Sequence, residues 1–153
     1  MKIYFAADHA GFPLKQTLIP FVEKLGFAVE DKGAFEQNEK DDYPDFIKKA
    51  ASEVSSNPQN SLAIVIGGSG EGEAIVANKY PHVRATVYYG GNKEIIKLSH
   101  EHNDANVLSL GARFMSDAEA KAVVKSWLTS HFSLDPRHKR RIEKIEEIER
   151  NVH

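Results

Sequence analysis

Apolar runs and amphipathic segments alternate along this chain. Short apolar runs bounded by turn residues predict buried β-strands at 3–7, 27–30, 62–66, 84–89 and 106–110. Apolar residues that recur every three to four positions predict helices at 13–25, 44–54, 73–79, 93–101 and 116–131. Loops rich in glycine, proline, serine and asparagine separate these elements, as at 55–60. The pattern is therefore that of an α/β protein.

The alternation of strands and helices predicts how these elements assemble. It is typical of a parallel sheet that is covered by helices on both faces. Ligands bind such sheets at the carboxyl ends of the strands. At that edge the sequence places the residues that follow the strands, namely Asp8, His9, Asp42, Tyr43, the loop 67–72 and 111–113.

The composition is that of one globular domain. The 153 residues are 41% hydrophobic and 27% charged, with a formal net charge of -2. This charge does not favour nucleic acid or a membrane surface as a partner. The absence of cysteine excludes disulfides, thiolate metal sites and cysteine nucleophiles. An acidic residue at position 8 comes too early for a signal peptide, so we expect one cytoplasmic domain over 1–153.

The C-terminal stretch, 137–153, differs from the rest of the chain. A basic cluster at 137–141 leads into a charged segment in which isoleucine recurs at 142, 145 and 148. This narrow apolar stripe predicts a helix that is too short and too polar to be stable alone. We therefore expect a helical extension that packs on a neighbouring surface, with a partner subunit as the leading candidate.

The loop after the third predicted strand carries the densest chemical signal. Gly67-Gly-Ser-Gly-Glu-Gly72 holds four glycines within six residues, with Ser69 and Glu71 between them and Glu73 next. Its backbone N–H groups suit an anion, and Glu73 is a candidate general base beside them. The loop lacks the third glycine of a dinucleotide fingerprint and the Lys-Ser/Thr ending of a P-loop. A tight strand-to-helix turn without a ligand is the alternative interpretation.

Two histidine motifs are ambiguous on spacing alone. Asp8-His9 follows the first predicted strand, where it forms either part of a ligand site or an exposed turn. His100 and His102 are two residues apart, which puts them on opposite sides of a strand and aligns them poorly on a helix. We therefore predict no metal site. A neutral histidine in this segment suits proton transfer near neutral pH better.

Three arginines are candidates for binding phosphate. Arg113 follows the fifth predicted strand, whereas Arg137 and Arg141 lie four residues apart and share a face if that segment is helical. Guanidinium groups are permanently charged and match phosphate geometry. On spacing alone, a solvated basic turn explains Arg137 and Arg141 better. Nucleic-acid binding is a weaker alternative because the rest of the chain is neutral to acidic.

Several short motifs, taken in order and spacing, resemble the type B ribose-5-phosphate isomerases and the related galactose-6-phosphate isomerase subunits. The resemblance extends over about residues 2–149. The matching motifs are Ala7-Asp-His-Ala-Gly11, Asp42-Tyr-Pro44, Gly67-Gly-Ser-Gly-Glu-Gly-Glu73, Ala77-Asn-Lys79, Glu101-His-Asn-Asp-Ala-Asn106, Gly111-Ala-Arg113 and Arg137-His-Lys-Arg-Arg141. The resemblance implies a Rossmann-like three-layer α/β/α sandwich without cofactor or metal. It also implies a homodimer or dimer of dimers whose active sites lie between subunits.

The resemblance implies an aldose–ketose isomerase, typically acting between ribose 5-phosphate and ribulose 5-phosphate through an enediolate. Some members of the family use a cysteine base at the position of Gly67, which is impossible in this chain. The chain resembles the second subgroup, in which a glutamate at the position of Glu73 is the base. The residue pattern and the resemblance therefore select the same residue.

Roles for most other candidates follow from the resemblance. His102 is expected to open the furanose ring, with Asn103 beside it, and Ser69 to orient the sugar oxygens or the base. Asp8 and Tyr43 are expected to contact sugar hydroxyls or to assist ring opening. The other implied substrate contacts are Gly68, Gly70, Glu71 and Gly72. The glycine N–H groups would hold the enediolate oxygen, and Glu71 has no role of its own. The implied phosphate contacts, some from the partner subunit, are His9, Arg113, Arg137 and Arg141.

Two other functions stay open on the sequence. The substrate is alternatively a six-carbon sugar phosphate such as allose or galactose 6-phosphate, because pocket length is not visible in the sequence. A non-catalytic sugar-phosphate-binding protein is the second alternative. Such a protein needs a phosphate clamp but neither a base nor a ring opener, so the joint presence of Glu73, Ser69 and His102 argues against it.

Overall fold

The computed structural model describes residues 1–152 and contains a parallel sheet between two layers of helices. Its strands are β1 (Lys2–Ala7), β2 (Ala28–Asp31), β3 (Ser61–Gly67), β4 (Ala85–Tyr88) and β5 (Val107–Gly111). Its helices are α1 (Phe12–Lys24), α2 (Pro44–Ser56), α3 (Glu71–Ala77), α4 (Glu94–Asn103), α5 (Asp117–Thr129) and α6 (Pro136–Val152), with a 3-10 turn at Ala112–Phe114. The predicted α/β/α fold is confirmed. His153, the last residue of the predicted extension, lies outside the described residues.

The sheet has the strand order β2-β1-β3-β5-β4, and every neighbouring pair is parallel. The chain runs outward from β1 to β2 and then crosses back to β3, so the strand order reverses between β1 and β3. In open α/β sheets, ligands bind at the carboxyl edge of such a switch point. Ala7 pairs with Ile66, and Gly67 with Gly111, at that edge. The loops after β1, β3 and β5 are therefore neighbours.

The central strand β3 is buried along its whole length because helices cover both faces of the sheet. Its alternate residues therefore point into two separate cores. Ile64 and Ile66 pack with Trp127 in the core under α1 and α5, whereas Ala63 and Val65 face α2 and α3. A continuous apolar run, rather than an alternating one, is what a strand with two buried faces requires.

Several helices extend beyond their predicted ends. α2 continues through Ser55 and Ser56, which the composition assigned to a loop. The Ser56 hydroxyl donates to a carbonyl one turn earlier at 2.8 Å, so its polar side chain is satisfied inside the helix. α3 begins at Glu71, two residues before its predicted start. α4 continues to Asn103, which puts His102 in its last turn.

The C-terminal extension forms α6, which packs on α4 of the same chain. His138 and Ile142 are buried, but Ile145 and Ile148 stay 45% and 62% exposed. Of the predicted apolar stripe, Ile142 is thus covered by this chain, whereas Ile145 and Ile148 are open. α6 is also the longest helix, and neither it nor any other helix within residues 1–152 is long and apolar enough to cross a membrane.

Candidate active site

A cleft of about 240 Å³ opens at the carboxyl edge of the sheet, where the loops after β1, β3 and β5 meet. Most of the candidates that the sequence placed at this edge line the cleft. The lining residues are Asp8, His9, Ala10, Tyr43, Gly68, Ser69, Gly72, Glu73 and Arg113. The cleft therefore lies at the carboxyl ends of the strands, where the sequence predicted a ligand site.

The loop between β3 and α3 turns sharply at Gly70. This residue has φ +83°, in the left-handed region that favours glycine. The Ser109 hydroxyl on β5 donates to the Gly70 carbonyl at 2.6 Å, and the Arg113 amide donates to the Gly68 carbonyl at 3.1 Å. These two bonds tie the loop to the end of β5, so its position at the edge of the cleft is fixed.

Glu73 lies on the first turns of α3 and is almost fully buried, with 4% of its surface exposed. Burial raises the pKa of the Glu73 carboxyl group, and the charge of Asp8 raises it as well. Hydrogen bonds from the backbone amides of Glu73 and Gly70 act in the opposite direction. A carboxylate with a raised pKa binds a proton more tightly, as a base that acts on carbon must.

Gly67 provides the space that the Glu73 carboxyl group occupies. A Cβ atom on residue 67 would overlap that carboxyl group. A side chain at position 67 and Glu73 in its observed position therefore exclude one another. This steric conflict explains why a chain whose Glu73 carboxyl group occupies this space has glycine at position 67.

Asp8 is the second buried carboxylate of the cleft, with 6% of its surface exposed. Its Oδ1 atom accepts hydrogen bonds from the backbone amides of Ala10 and Gly11 at 2.9 and 3.2 Å. This local turn leads from β1 into α1 and holds the side chain at the sheet edge. The Oδ2 atom lies 3.9 Å from the Nδ1 atom of His9.

His9 is bound by Asp41, a residue that the sequence analysis did not identify. The Asp41 Oδ1 atom lies 2.7 Å from His9 Nδ1 and accepts the His9 backbone N–H at 3.0 Å. The hydrogen bond that His9 donates to Asp41 raises the pKa of His9, and the charges of Asp8 and Asp41 raise it further. Asp41 lies in the polar connection between β2 and α2, and no motif marks it.

Tyr43 and Arg113 both lie against the glycine loop. The Tyr43 ring packs beside Gly72, and the Arg113 guanidinium group lies beside Gly68. Arg113 is also close enough to His9 for its charge to lower the pKa of that histidine. The cleft therefore combines two buried carboxylates with a basic pair, His9 and Arg113.

Two of the predicted contact residues do not line the cleft. Glu71 is exposed and lies with Ser69, Tyr89 and Phe114 on a separate apolar surface. Its backbone amide donates to the Ser69 hydroxyl at 3.2 Å, so it contributes to the loop rather than to the cleft. Gly70 is buried behind the loop, where its backbone amide is close enough to the Glu73 carboxyl group to lower the pKa of that group.

Four further candidates, His102, Asn103, Arg137 and Arg141, are absent from the cleft within residues 1–152. α4 runs back from the end of β4 to the start of β5, so its last turn lies at the amino edge of the sheet. The five residues of β5 span about 15 Å between the two edges, at about 3.3 Å per residue. α6 begins beside this turn, because the His102 and His138 rings are 4.3 Å apart. These four residues therefore form a second cluster, which we call the amino-edge cluster.

A group of potential metal ligands lies next to the cleft. Among residues 1–152, Asp8, His9 and Asp41 place one ligand atom each within 4.8 Å of one another. The His9 Nδ1 atom is already bonded to Asp41, and the Arg113 charge nearby disfavours a cation. The absence of a metal and of a cofactor stays a prediction from the sequence.

Comparisons with known proteins agree on one family. The family described as Ribose/Galactose Isomerase matches residues 3–145 of this chain. Ribose-5-phosphate isomerase B of Mycolicibacterium paratuberculosis is 43% identical over 150 residues, which cover 98% of this chain and 92% of that protein.

Solved structures give the same result. Ribose-5-phosphate isomerase B of Clostridium thermocellum superposes with a TM-score of 0.92 at 42% identity, over 100% of both chains. The Mycoplasma genitalium ribose-5-phosphate isomerase B with bound ribulose-5-phosphate superposes with a TM-score of 0.93 at 36% identity, over 97% of this chain and 96% of that one. The chain therefore belongs to the ribose/galactose isomerase family.

Proposed function

We propose that this protein is an isomerase that interconverts ribose 5-phosphate and ribulose 5-phosphate. The observation that carries the proposal is a buried carboxylate, Glu73, in a cleft that also holds the basic pair His9 and Arg113. The reaction needs a base at carbon 2 of the sugar and positive charge at its phosphate. Relatives that match nearly the whole chain bear the name of this activity.

Glu73 is the proposed base. It removes the proton from C2 of open-chain ribose 5-phosphate, the electrons form the C1–C2 double bond, and the negative charge moves to O1. The proton on O2 then transfers to O1, and Glu73 returns its proton to C1, which leaves the carbonyl group at C2. The Glu73 carboxyl group thus accepts the proton from one carbon and donates it to the other, and it serves both directions of the reaction.

The loop 68–72 is the proposed holder of the enediolate oxygen. A carboxylate is a weak base for a carbon acid, so most of the rate must come from stabilising the charge that develops on oxygen. Backbone N–H donors in a fixed loop are suited to this, and each is typically worth about 2.7–4 kcal/mol. Ser69 would orient the sugar oxygens beside Glu73, since it lines the same cleft.

A homodimer, or a dimer of dimers, would complete the site. Arg137 and Arg141 are proposed phosphate ligands, but both lie at the amino edge of their own sheet. They reach a carboxyl-edge cleft only if it belongs to another subunit. The open part of the α6 stripe, Ile145 and Ile148, supplies apolar surface for such an interface.

His102 is proposed to open the furanose ring in the partner's cleft, with Asn103 beside it. Its neighbour His138 is buried, and burial lowers the pKa of the His138 imidazole. The His138 Nδ1 atom bonds to the Ser133 hydroxyl at 2.7 Å. A neutral and anchored His138 supports the His102 ring without adding charge.

The cytoplasmic location expected from the sequence stays a prediction.

Parallel isomerisation assays test the proposed function. Purified protein is supplied with ribose 5-phosphate, allose 6-phosphate and galactose 6-phosphate, and the ketose product is measured. We expect the highest kcat/KM on ribose 5-phosphate. A preference for either six-carbon substrate would move the assignment within the family, and binding without turnover on all three would support the non-catalytic alternative.

Replacing Gly67 by alanine tests the steric basis of the site. The added methyl group occupies the position of the Glu73 carboxyl group, so Glu73 must move. We expect kcat to fall by about 10²-fold, the typical cost of a displacement near 1 Å at a reacting group. Thermal unfolding of the variant serves as the fold control. An unchanged kcat in a folded Gly67→Ala protein would show that the observed position of Glu73 is not the reactive one.

A further inference from the structure

Asp41 and His9 form a closely coupled pair at the edge of the cleft. The Asp41 side chain is only 7% exposed, and it accepts two hydrogen bonds from His9, one from the ring and one from the backbone amide. Its second oxygen, Oδ2, is buried and has no hydrogen-bond partner within residues 1–152. Within this part of the chain, His9 is thus the group that can balance the charge of Asp41. A buried carboxylate without a counter-charge is costly, so the pair favours a positive His9.

This contact determines which form of the His9 ring faces a ligand. The Nδ1 atom donates to Asp41, which leaves Nε2 as the only ring nitrogen available to the cleft. In the neutral ring with a proton on Nδ1, Nε2 is an acceptor and repels a phosphate oxygen. In the doubly protonated ring, Nε2–H is a donor with positive charge.

We propose that Asp41 is a positioning residue that keeps His9 doubly protonated, so that Nε2–H donates to the phosphate group of the substrate. The proposal deepens the proposed isomerase function and depends on it for the identity of the phosphate ester. The pair itself would bind any phosphate monoester or inorganic phosphate. Phosphate monoesters carry close to two charges above about pH 6, so both partners are charged near neutral pH.

The charged groups around His9 determine the direction of the pH dependence. Asp8, on the same segment, and Asp41, from the β2–α2 connection, favour the protonated ring, whereas Arg113 and partial burial oppose it. Tyr43 and Glu73 are the other titratable groups that line the cleft. The net effect raises the pKa of His9, so the phosphate contact is complete below that pKa and is lost as pH rises through it.

The test uses Asp41→Asn, which keeps the shape of the side chain and removes its charge. Glu39→Gln is the matched control, because Glu39 is an exposed residue of the same connection. The pKa of the His9 ring is measured by NMR, and a His9→Ala variant assigns its signal. Binding of inorganic phosphate and KM for ribose 5-phosphate are then measured as a function of pH. We expect the His9 pKa to fall in Asp41→Asn and KM to rise about tenfold near pH 7.5, with kcat within about twofold. The difference in KM should narrow as pH falls below the His9 pKa of the variant, because both proteins then carry a protonated His9.

Two results would overturn the proposal. One is a His9 pKa that is the same in Asp41→Asn and in the unmodified protein. The other is a KM that rises by the same factor at every pH, which a purely structural role would produce. If Asp41→Asn does not fold, the His9 pKa of the unmodified protein is the test. A value at or below the ordinary 6.5 excludes the proposal. An inactive parent protein that still binds phosphate through a titrating His9 would reject the isomerase function but not the role of Asp41.

Discussion

Glu73→Gln is expected to lower kcat on ribose 5-phosphate by roughly 10²–10⁴-fold, with little change in KM. Glutamine keeps the size of the side chain and its place beside Gly67, but it has no basic oxygen to accept the C2 proton. The substrate still binds, because the basic pair and the loop 68–72 are unchanged. Steady-state kinetics on the purified variant measure the effect, and loss of exchange of the C2 proton with deuterated water reports the same step directly.

The pH dependence of the unmodified protein gives a second measurement of the same residue. Burial raises the pKa of Glu73, so the protonated and inactive form should persist to higher pH than for an ordinary glutamate. kcat/KM is therefore expected to fall as pH drops through this raised pKa. Glu23 is an exposed carboxylate on α1, so Glu23→Gln is the control for Glu73→Gln and should leave kcat unchanged. A Glu73→Gln variant with near-normal turnover would require another base, and Asp8 is the remaining buried carboxylate of the cleft.

The sequence predicted the elements of this fold better than their arrangement. Apolar runs such as that of β3 are visible in the sequence because both faces of the strand are buried. The strand order β2-β1-β3-β5-β4 was not predicted, since it depends on which helices pack together across the sheet. The predicted α2 and α4 each ended two residues too early, because polar residues at helix ends resemble loop residues.

The candidate site shows the same division between local and long-range information. Glu73 was identified because it follows the glycine loop directly in the sequence. Asp41 was missed because its contact with His9 spans 32 positions and joins two connections that have no common pattern. The steric link between Gly67 and Glu73 was also invisible, since it requires the first turn of α3 to fold back over the end of β3. Motifs locate residues at strand ends, but only the fold shows which of them touch.

The division of the candidates into a cleft and an amino-edge cluster leads to a prediction about subunits. If each active site takes Glu73 from one chain and Arg137 and Arg141 from the other, two inactive variants should restore activity together. One variant is Glu73→Gln, and the other is the double variant Arg137→Ala/Arg141→Ala. In a mixed dimer, one site receives both defects and the other receives neither. Random pairing at equal amounts should give about a quarter of the unmodified activity.

The experiment co-expresses the two variants with different affinity tags and isolates mixed dimers by two purification steps. Such dimers contain one intact site in two, so about half of the unmodified activity per subunit is expected. Lys139→Ala/Arg140→Ala is the matched control, because it removes the same charge from exposed positions of α6 and should stay active alone. Mixed dimers with no more activity than the two parents would mean that each chain builds its own site. That outcome would require α6 to leave α4, since the two clusters lie at opposite edges of one sheet.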